Sequence, residues 1–473
     1  MVNASCCAQL AKIFGPQVLY PLSDAYLAAQ QSYWSIQESR IGPACFFAPQ
    51  SAPDVAQAVS ILVGTEHCEF AIRGQSHAPA EGFANIQNGV TIDMRALNSV
   101  ALDAGRTKAS VGAGASWQDI YTYLDAYNVS VAGGRNGAVG VGGLLLGGGI
   151  SYFAPRVGWA CDNVVNFEIA LASGQLINAN ATFNQDLFKA LKGGGNNFGI
   201  VTRFDLATFN QGPILAGPIS SPFSEREAVF KAFSDLADAR NYDQYASLVL
   251  GLTWKPSSYW QDITTTAIHT KPDADPTVYK DFLAVPGTTQ SLKTTKLSTF
   301  SNETATPPLS WQFHTATYSV SASLLSRIVD ACNSTITTNP IPGFVLWQLA
   351  FEPLPTIITQ FGAKTGGNVL GTTPADRNAI VLLLTAVWEN YSASDATVKQ
   401  AGDTMIRRAN EIAREMGLLH GFRYMNYANP DQDPIASYGE DNVRYLSAVS
   451  RRYDPEGVFQ SQVPGGFKLP KYV

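Results

Sequence analysis

Charge is what this chain has least of. Asp, Glu, Lys and Arg make up 15% of its 473 residues, against about 25% in an average soluble domain. With 45% apolar and 11% aromatic residues, the composition is that of a large, well-buried globule and excludes disorder as the main state. Net charge is −6, and there is no Lys/Arg run or basic aromatic stripe, so a nucleic-acid footprint is absent and anionic membrane surfaces are poor partners. No membrane span is expected either. The one long uncharged window, Asn136 to Pro155, has the length of a span, but seven of its twenty residues are glycine, each costing a helix about 1 kcal/mol. The start, MVNASCCAQLAKIF, has neither a basic n-region nor a sustained apolar h-region, so no signal peptide is visible.

Motifs are missing as well. No CxxC or Cys/His spacing suggests a metal, and none is expected. GxGxxG fails because the position required after Gly140 and Gly142 is Leu145, and no Gly-Lys-Ser/Thr occurs, which sets aside nicotinamide Rossmann and Walker-type sites. The six cysteines are Cys6, Cys7, Cys45, Cys68, Cys161 and Cys332. The first four crowd the start, where Cys6 or Cys7 could staple the terminus to Cys45 or Cys68. Six N-x-S/T sequons (Asn3, Asn128, Asn180, Asn302, Asn333, Asn390) lean the compartment toward the secretory route or outside the cell, with the cytoplasm left open.

A chain this long exceeds one core, so two lobes are expected. Up to about residue 210, glycines punctuate short elements: a helix over 52–64, strands at Phe70–Arg73 and Gly89–Met94, and a helix after Ser116, its candidate N-cap. A hairpin over Asn166–Asn178, a helix over Asp186–Leu191 and a strand over Gly199–Leu206 follow. Glycines then thin out. Alternating strands are read at Tyr245–Trp254, Ile263–Thr270, Trp311–Ser319, Phe344–Glu352 and Asn378–Trp388, with a helix over Ala396–Met416. The last fifty residues return to glycine and proline. The fold class is α+β, with a central antiparallel sheet carrying helices on one face, and units at 1–210, 211–420 and 421–473.

Three glycine-rich segments could carry chemistry: Arg73-Gly-Gln-Ser-His-Ala-Pro79, Gly133-Gly-Arg-Asn-Gly-Ala-Val-Gly-Val-Gly-Gly143 running on to Gly149, and Gly193-Gly-Gly-Asn-Asn-Phe-Gly199. Small residues let consecutive N–H groups turn toward one anion such as a pyrophosphate. Any one of them alone reads more simply as a tight connection. In order, and with FAIRGQSHAPAEGFANIQNGVTIDM, LFKALKGGGNNFGIVTRFDL, YMNYANPDQDP, YGEDNVRYL and RRYDPEGVF, they resemble the FAD-linked oxidases of the vanillyl-alcohol oxidase superfamily. The likeness is to the berberine bridge enzyme-like branch, its fungal members above all, and runs from about Cys6 to Lys468.

That resemblance implies a PCMH-type FAD-binding domain assembled from both termini, and a central substrate domain roofing the flavin ring. It implies covalent attachment of FAD through His77, with Arg73, Gly74, Gln75, Ser76 and Ala78 around it. Gln75 and Ser76 depart from the commoner RGGGHS. The family's second anchor, a cysteine, falls on Asn136, so no cysteinyl link is expected, and with it a more closed site and a lower potential than in doubly linked relatives. Gly134, Val139, Gly140, Gly142, Gly143 and Gly149 belong to the second segment, Val139 at the oxygen-gating position. Asp162, Gly199, Val201 and Asn426 complete the cofactor set.

Among carbohydrate-oxidising relatives a tyrosine of a YxNY-like strand takes the hydroxyl proton, which points to Tyr427, with Tyr424 the alternative. Ionising a phenol at neutral pH costs about 4 kcal/mol. Arg423 would lie about 13 Å away along a strand, and Glu352 is the candidate proton acceptor. Strand alternation would put Tyr424 and Asn426 opposite Tyr427. Gln348, Trp347 and Trp388 are expected in the substrate pocket. The plant branch's Glu or Gln is replaced by Leu382, Leu383 and Leu384, so that chemistry does not transfer. The expected activity is oxidation of a small apolar alcohol with O2 as acceptor, by a monomer or weak dimer. The alternatives are a cyclase or isomerase without net redox, an oligosaccharide oxidase, and a flavin-storing protein.

Overall fold

The computed structural model describes residues 2–271, 277–302, 309–338, 341, 343–389 and 392–470; the sequon at Asn390 lies outside them. The first helix, Val2–Phe14, is pinned at both of its adjacent cysteines, Cys6 to Cys68 and Cys7 to Cys45, which resolves the pairing that spacing left open. Cys161 and Cys332 are buried and free. Strand Cys45–Phe47 and strand Phe70–Arg73 each pair in parallel with Val90–Asp93, and Val18–Leu19 adds an antiparallel edge. Between the first two runs the helix Ala52–Val63, where its sequence pattern placed it, starts under Ser51, whose hydroxyl accepts from the Asp54 N–H.

A second sheet is antiparallel throughout, ordered Val100–Leu102, Lys108–Gly112, Ile200–Ala207, Val164–Ala170, Leu176–Asn180. Its hairpin turns through Gly174, whose φ of 77° suits glycine. The helix Trp117–Asp125 opens on the expected Ser116, here with Asp119 as a full capping box. The uncharged window 136–155 folds as loop around the short helix Val141–Leu146. Among the described residues no helix is long and apolar enough to cross a membrane.

The central strands run Ile214–Pro222, Tyr259–His269, Ala246–Lys255, Phe344–Leu354, Ala379–Trp388, Ser310–Ser319 across one antiparallel sheet. Alternation sends successive side chains to opposite faces. Trp347, Leu349 and Phe351, with Leu382, Leu384, Ala386 and Trp388, join a core with Val229, Phe233, Leu324, Ile328 and Met405. Those last come from helices Arg226–Ala237, Ala322–Thr338 and Ser392–Glu415. A second core draws together residues from Cys6 to Leu206 and from Phe422 to Leu469. The non-helical face of the central sheet is turned toward that second body.

Candidate active site

Between the two bodies lies a cavity of about 610 Å3, inside the roughly 300–1,000 Å3 range of ligand clefts. Its floor is made of the three glycine segments. Strand Phe70–Arg73 delivers the first of them, and the turn is fixed by Arg73, which is fully buried. Its guanidinium donates to Ser76 Oγ (2.8 Å), Ala29 O (2.7 Å) and Ser32 Oγ (2.8 Å), pairs with Asp93 at 3.7 Å and lies over the Tyr33 ring. Ser76 is thereby held at φ 60°, a left-handed residue inside a short loop, a conformation that anion-binding nests draw on. The second segment passes so near that a Cβ on Gly140 would stand 2.9 Å from Gln75 N. On the open side, a Cβ built on Gly143 meets nothing within 4 Å among the described residues beyond its chain neighbours and its own helix backbone.

Of the expected cofactor residues, Gly74, Gln75, Ser76, His77, Ala78, Asn136, Val139, Gly140, Gly142, Gly143, Gly199, Val201 and Asn426 line this cavity. Four do not. Arg73 is committed to holding its own loop. Gly134 gives its carbonyl to the Tyr121 hydroxyl at 2.7 Å, and Gly149 packs on Ala160 and Leu144. Asp162 accepts from Trp159 N (3.1 Å) and Asn368 Nδ2 (2.8 Å), and burial pushes its carboxyl up.

The roof brings Val249, Thr266, Phe313 and Leu383 over the cavity. Trp347 and Trp388 are not among them: both are buried on the helical face, and Trp388 donates its indole N–H to Asp395 at 2.7 Å. Gln348 has the parity of the roof but sits back from the cavity wall, within 3.4 Å of Thr253 Oγ1.

Tyr424 and Tyr427 both line the cavity, against the strand expectation. Met425–Tyr427 is a 3-10 turn, where residues three apart eclipse, and the two rings meet at 4.8 Å, edge to face. Asn426 donates to Leu144 O and to the Tyr424 hydroxyl, each at 3.0 Å.

Tyr427 donates its hydroxyl hydrogen to Glu352 Oε1 at 2.8 Å. Glu352 stands behind it, 2% exposed, and its second oxygen, Oε2, has no hydrogen-bond partner among the described residues. The cation is Arg135, which the sequence did not single out; Arg423, the one arginine weighed there, was too distant along a strand to serve. Arg135 Nη2 donates to Glu352 Oε1 at 2.7 Å and to the Tyr427 oxygen. Burial pushes the Tyr427 phenol well up and Glu352 adds to that, with Arg135 pulling against both. Burial works against the Arg135 charge, but Glu352 and Tyr427 hold its pKa above the ordinary value. Tyr152, also in the wall, is pushed up to about 12 by burial. A lone arginine within a glycine segment of a charge-poor chain was the available clue.

The residues present fit FAD: a nest, a glycine floor open where side chains would intrude, and an apolar roof above. A family described as FAD binding domain matches residues 43–180. The FAD-dependent monooxygenase tpcD of Cochliobolus heterostrophus is 38% identical over 451 residues, covering 92% of this chain and 87% of that one. Among solved structures, BBE-like 1 of Physcomitrella patens matches with a TM-score of 0.80 at 19% identity, covering 99% of this chain and 100% of that one. The xylooligosaccharide oxidase of Myceliophthora thermophila matches at 0.80 and 19%, covering 100% of both chains. The chain therefore shares the fold of BBE-like 1 and belongs to the family of fungal FAD-linked oxidoreductases that includes these FAD-dependent monooxygenases.

Proposed function

We propose that this chain oxidises a small, largely apolar alcohol, with proton removal by Tyr427. The arrangement of Tyr427, Glu352 and Arg135 at the cavity wall carries this reading. FAD, which His77 and the glycines at 140, 142 and 143 would hold, would supply a hydride acceptor whose reoxidation by O2 would give H2O2.

A phenol hydroxyl has one hydrogen and two lone pairs. In Tyr427 the hydrogen goes to Glu352 and one lone pair to Arg135, which leaves one lone pair for a substrate hydroxyl. With its pKa held high, Tyr427 does not wait as a phenolate. It passes a proton along instead: the substrate O–H proton moves to the Tyr427 oxygen as the Tyr427 proton moves to Glu352 Oε1. The tyrosine ends as it began and the carboxylate ends protonated beside Arg135. The apolar wall, Val249, Phe313 and Leu383 with Leu144 and Leu146, supports an apolar substrate over a long glycan.

His77 in the wall supports attachment of FAD through its imidazole, and Asn136, in the wall where the second anchor would stand, supports a single link. Val139 leaves a small side chain on the O2 approach. The two disulfides support a secretory route.

Relatives named monooxygenases favour a second reading, in which an oxygen atom enters the product. One assay decides. Stoichiometric H2O2 with a product two hydrogens lighter supports oxidation; a product one oxygen heavier with no H2O2 removes it. Turnover without anaerobic bleaching of the flavin band would indicate an isomerase.

A further inference from the structure

His77 is not held by its own loop alone. The Trp34 indole lies on its imidazole with ring centres 4.2 Å apart and planes 22° from parallel. The other face of Trp34 meets Trp311 at 4.3 Å and 30°, and Phe313 stands at 5.9 Å. Trp34 belongs to the connection before the short helix Ile36–Ser39, and Trp311 and Phe313 to roof strand Ser310–Ser319. That connection is fastened on both sides. Toward the floor, Ser35 Oγ donates to Pro79 O, two residues past His77, at 3.1 Å. Toward the roof, Ile36 N donates to Leu309 O at 3.1 Å, Gln37 Nε2 to Trp311 O at 2.8 Å, and Trp311 N to Gln37 Oε1 at 3.2 Å. The Trp34 N–H is buried with no hydrogen-bond partner among the described residues, so its ring is set by its two stacked faces and not by that group.

We propose that Trp34 is a positioning residue for flavin attachment, a plate clamped by the roof strand that fixes the plane of the His77 imidazole; this rests on the reading that His77 is the single anchor. Attachment forms a bond between an imidazole nitrogen and the ring methyl carbon. One methyl C–H proton and the imidazole N–H proton leave, and the two electrons left behind pass to O2, giving H2O2. An imidazole free to turn about its side-chain bonds presents that nitrogen along the required line only part of the time, and a plate on its face removes that freedom. Because the plate is seated against strand Ser310–Ser319, attachment is completed where floor and roof are already joined.

The test compares wild type, Trp34→Leu, Trp34→Phe and His77→Ala, each purified as expressed. Total flavin is read from absorbance, attached flavin from the yellow colour surviving acid precipitation, and folding from the thermal midpoint. Trp34→Leu keeps apolar bulk without a plate and is expected to retain total flavin while its attached fraction falls about tenfold. Trp34→Phe restores a ring and is expected to recover most of it. An attached fraction in Trp34→Leu equal to wild type overturns the proposal. So does a Trp34→Phe variant that is folded and no better attached than Trp34→Leu, which would leave bulk as the only role. Acid-stable flavin in His77→Ala, or none in wild type, overturns the single-anchor reading and this proposal with it.

Discussion

The floor and the roof of the cavity meet the same space by opposite means. The floor offers backbone: glycines at 74, 140, 142 and 143, a left-handed Ser76, and side chains such as Arg73 turned away to brace the loop. The roof offers side chains from a regular sheet, where every second residue faces the cavity side and its neighbour faces the helices. On the floor, function depends on what is missing, so adding atoms is the damaging change. On the roof, adjacent residues have unrelated tasks, so the damaging change depends on parity.

The sharpest break between the two tasks of the roof is Trp347→Ala against Leu383→Ala. Trp347 is 1% exposed in the helical core, and its loss is expected to cost about 3–5 kcal/mol, seen as a lower denaturation midpoint, with KM unchanged in whatever protein stays folded. Leu383 faces the cavity, so its truncation should move KM more than stability. If Trp347→Ala changes KM as Leu383→Ala does, the assignment of faces to tasks fails. Next in size is Tyr427→Phe, which should lower kcat about 10²-fold, roughly 2.7 kcal/mol in the barrier, with flavin content untouched. A Tyr427→Phe enzyme at wild-type rate would remove the relay through Glu352.

The same contrast explains what the sequence made legible. The floor was read nearly residue by residue, because a nest is a local object: the spacing from Gly74 to Ala78 and from Val139 to Gly143 lies in one stretch of chain. Capping of the helix at Ser116 and the hairpin at Gly174 are local in the same sense. Arg135, Glu352 and Tyr427 are joined only by tertiary folding, so Glu352 could be guessed as Tyr427's partner while the cation between them was missed. Part of the roof was available from parity and went unused: Trp347 and Glu352 differ by an odd number of positions, so one strand could not send both toward the cavity. Tyr424 and Tyr427 were misjudged for a different reason. Their alternation was computed for a strand, and the chain makes a 3-10 turn there. Trp34 carried no motif at all; only the fold stacks it on His77.

On the floor the test is a single methyl. The Gly143→Ala methyl meets nothing within 4 Å among the described residues beyond its own helix backbone and chain neighbours, so the fold should tolerate it, while the methyl enters the space assigned to FAD. Noncovalent FAD retention in a His77→Ala background should weaken about tenfold, or about 1.4 kcal/mol. Gly147→Ala is the counterpart that breaks by a protein contact, its Cβ falling on Asn426 Oδ1. Equal FAD affinity with and without the Gly143 methyl would mean that FAD does not pass over this part of the floor.

The smallest effect concerns how the floor is braced. Glu38, fully buried, accepts from Ala84 N at 2.7 Å and Gly82 N at 3.3 Å, holding the chain that continues from the His77 loop. Burial pushes its carboxyl up to about 7 from the ordinary 4.5, although the backbone N–H groups and Arg73 pull it down. The folded chain therefore binds this proton more tightly than the unfolded one. The stabilisation is fully present below about pH 4.5 and is lost as pH rises through about 7. Other carboxylates impose their own pH dependence, so the quantity to measure is the difference in thermal midpoint between wild type and Glu38→Gln from pH 4.5 to 8. Since 1 kcal/mol moves the midpoint of a large domain by about 2–4 °C, wild type should lose a few degrees relative to the variant across that window. A difference that stays flat, or that grows in favour of wild type as pH rises, would mean that Glu38 is ionised in the folded chain, with the N–H groups of residues 82 and 84 outweighing its burial.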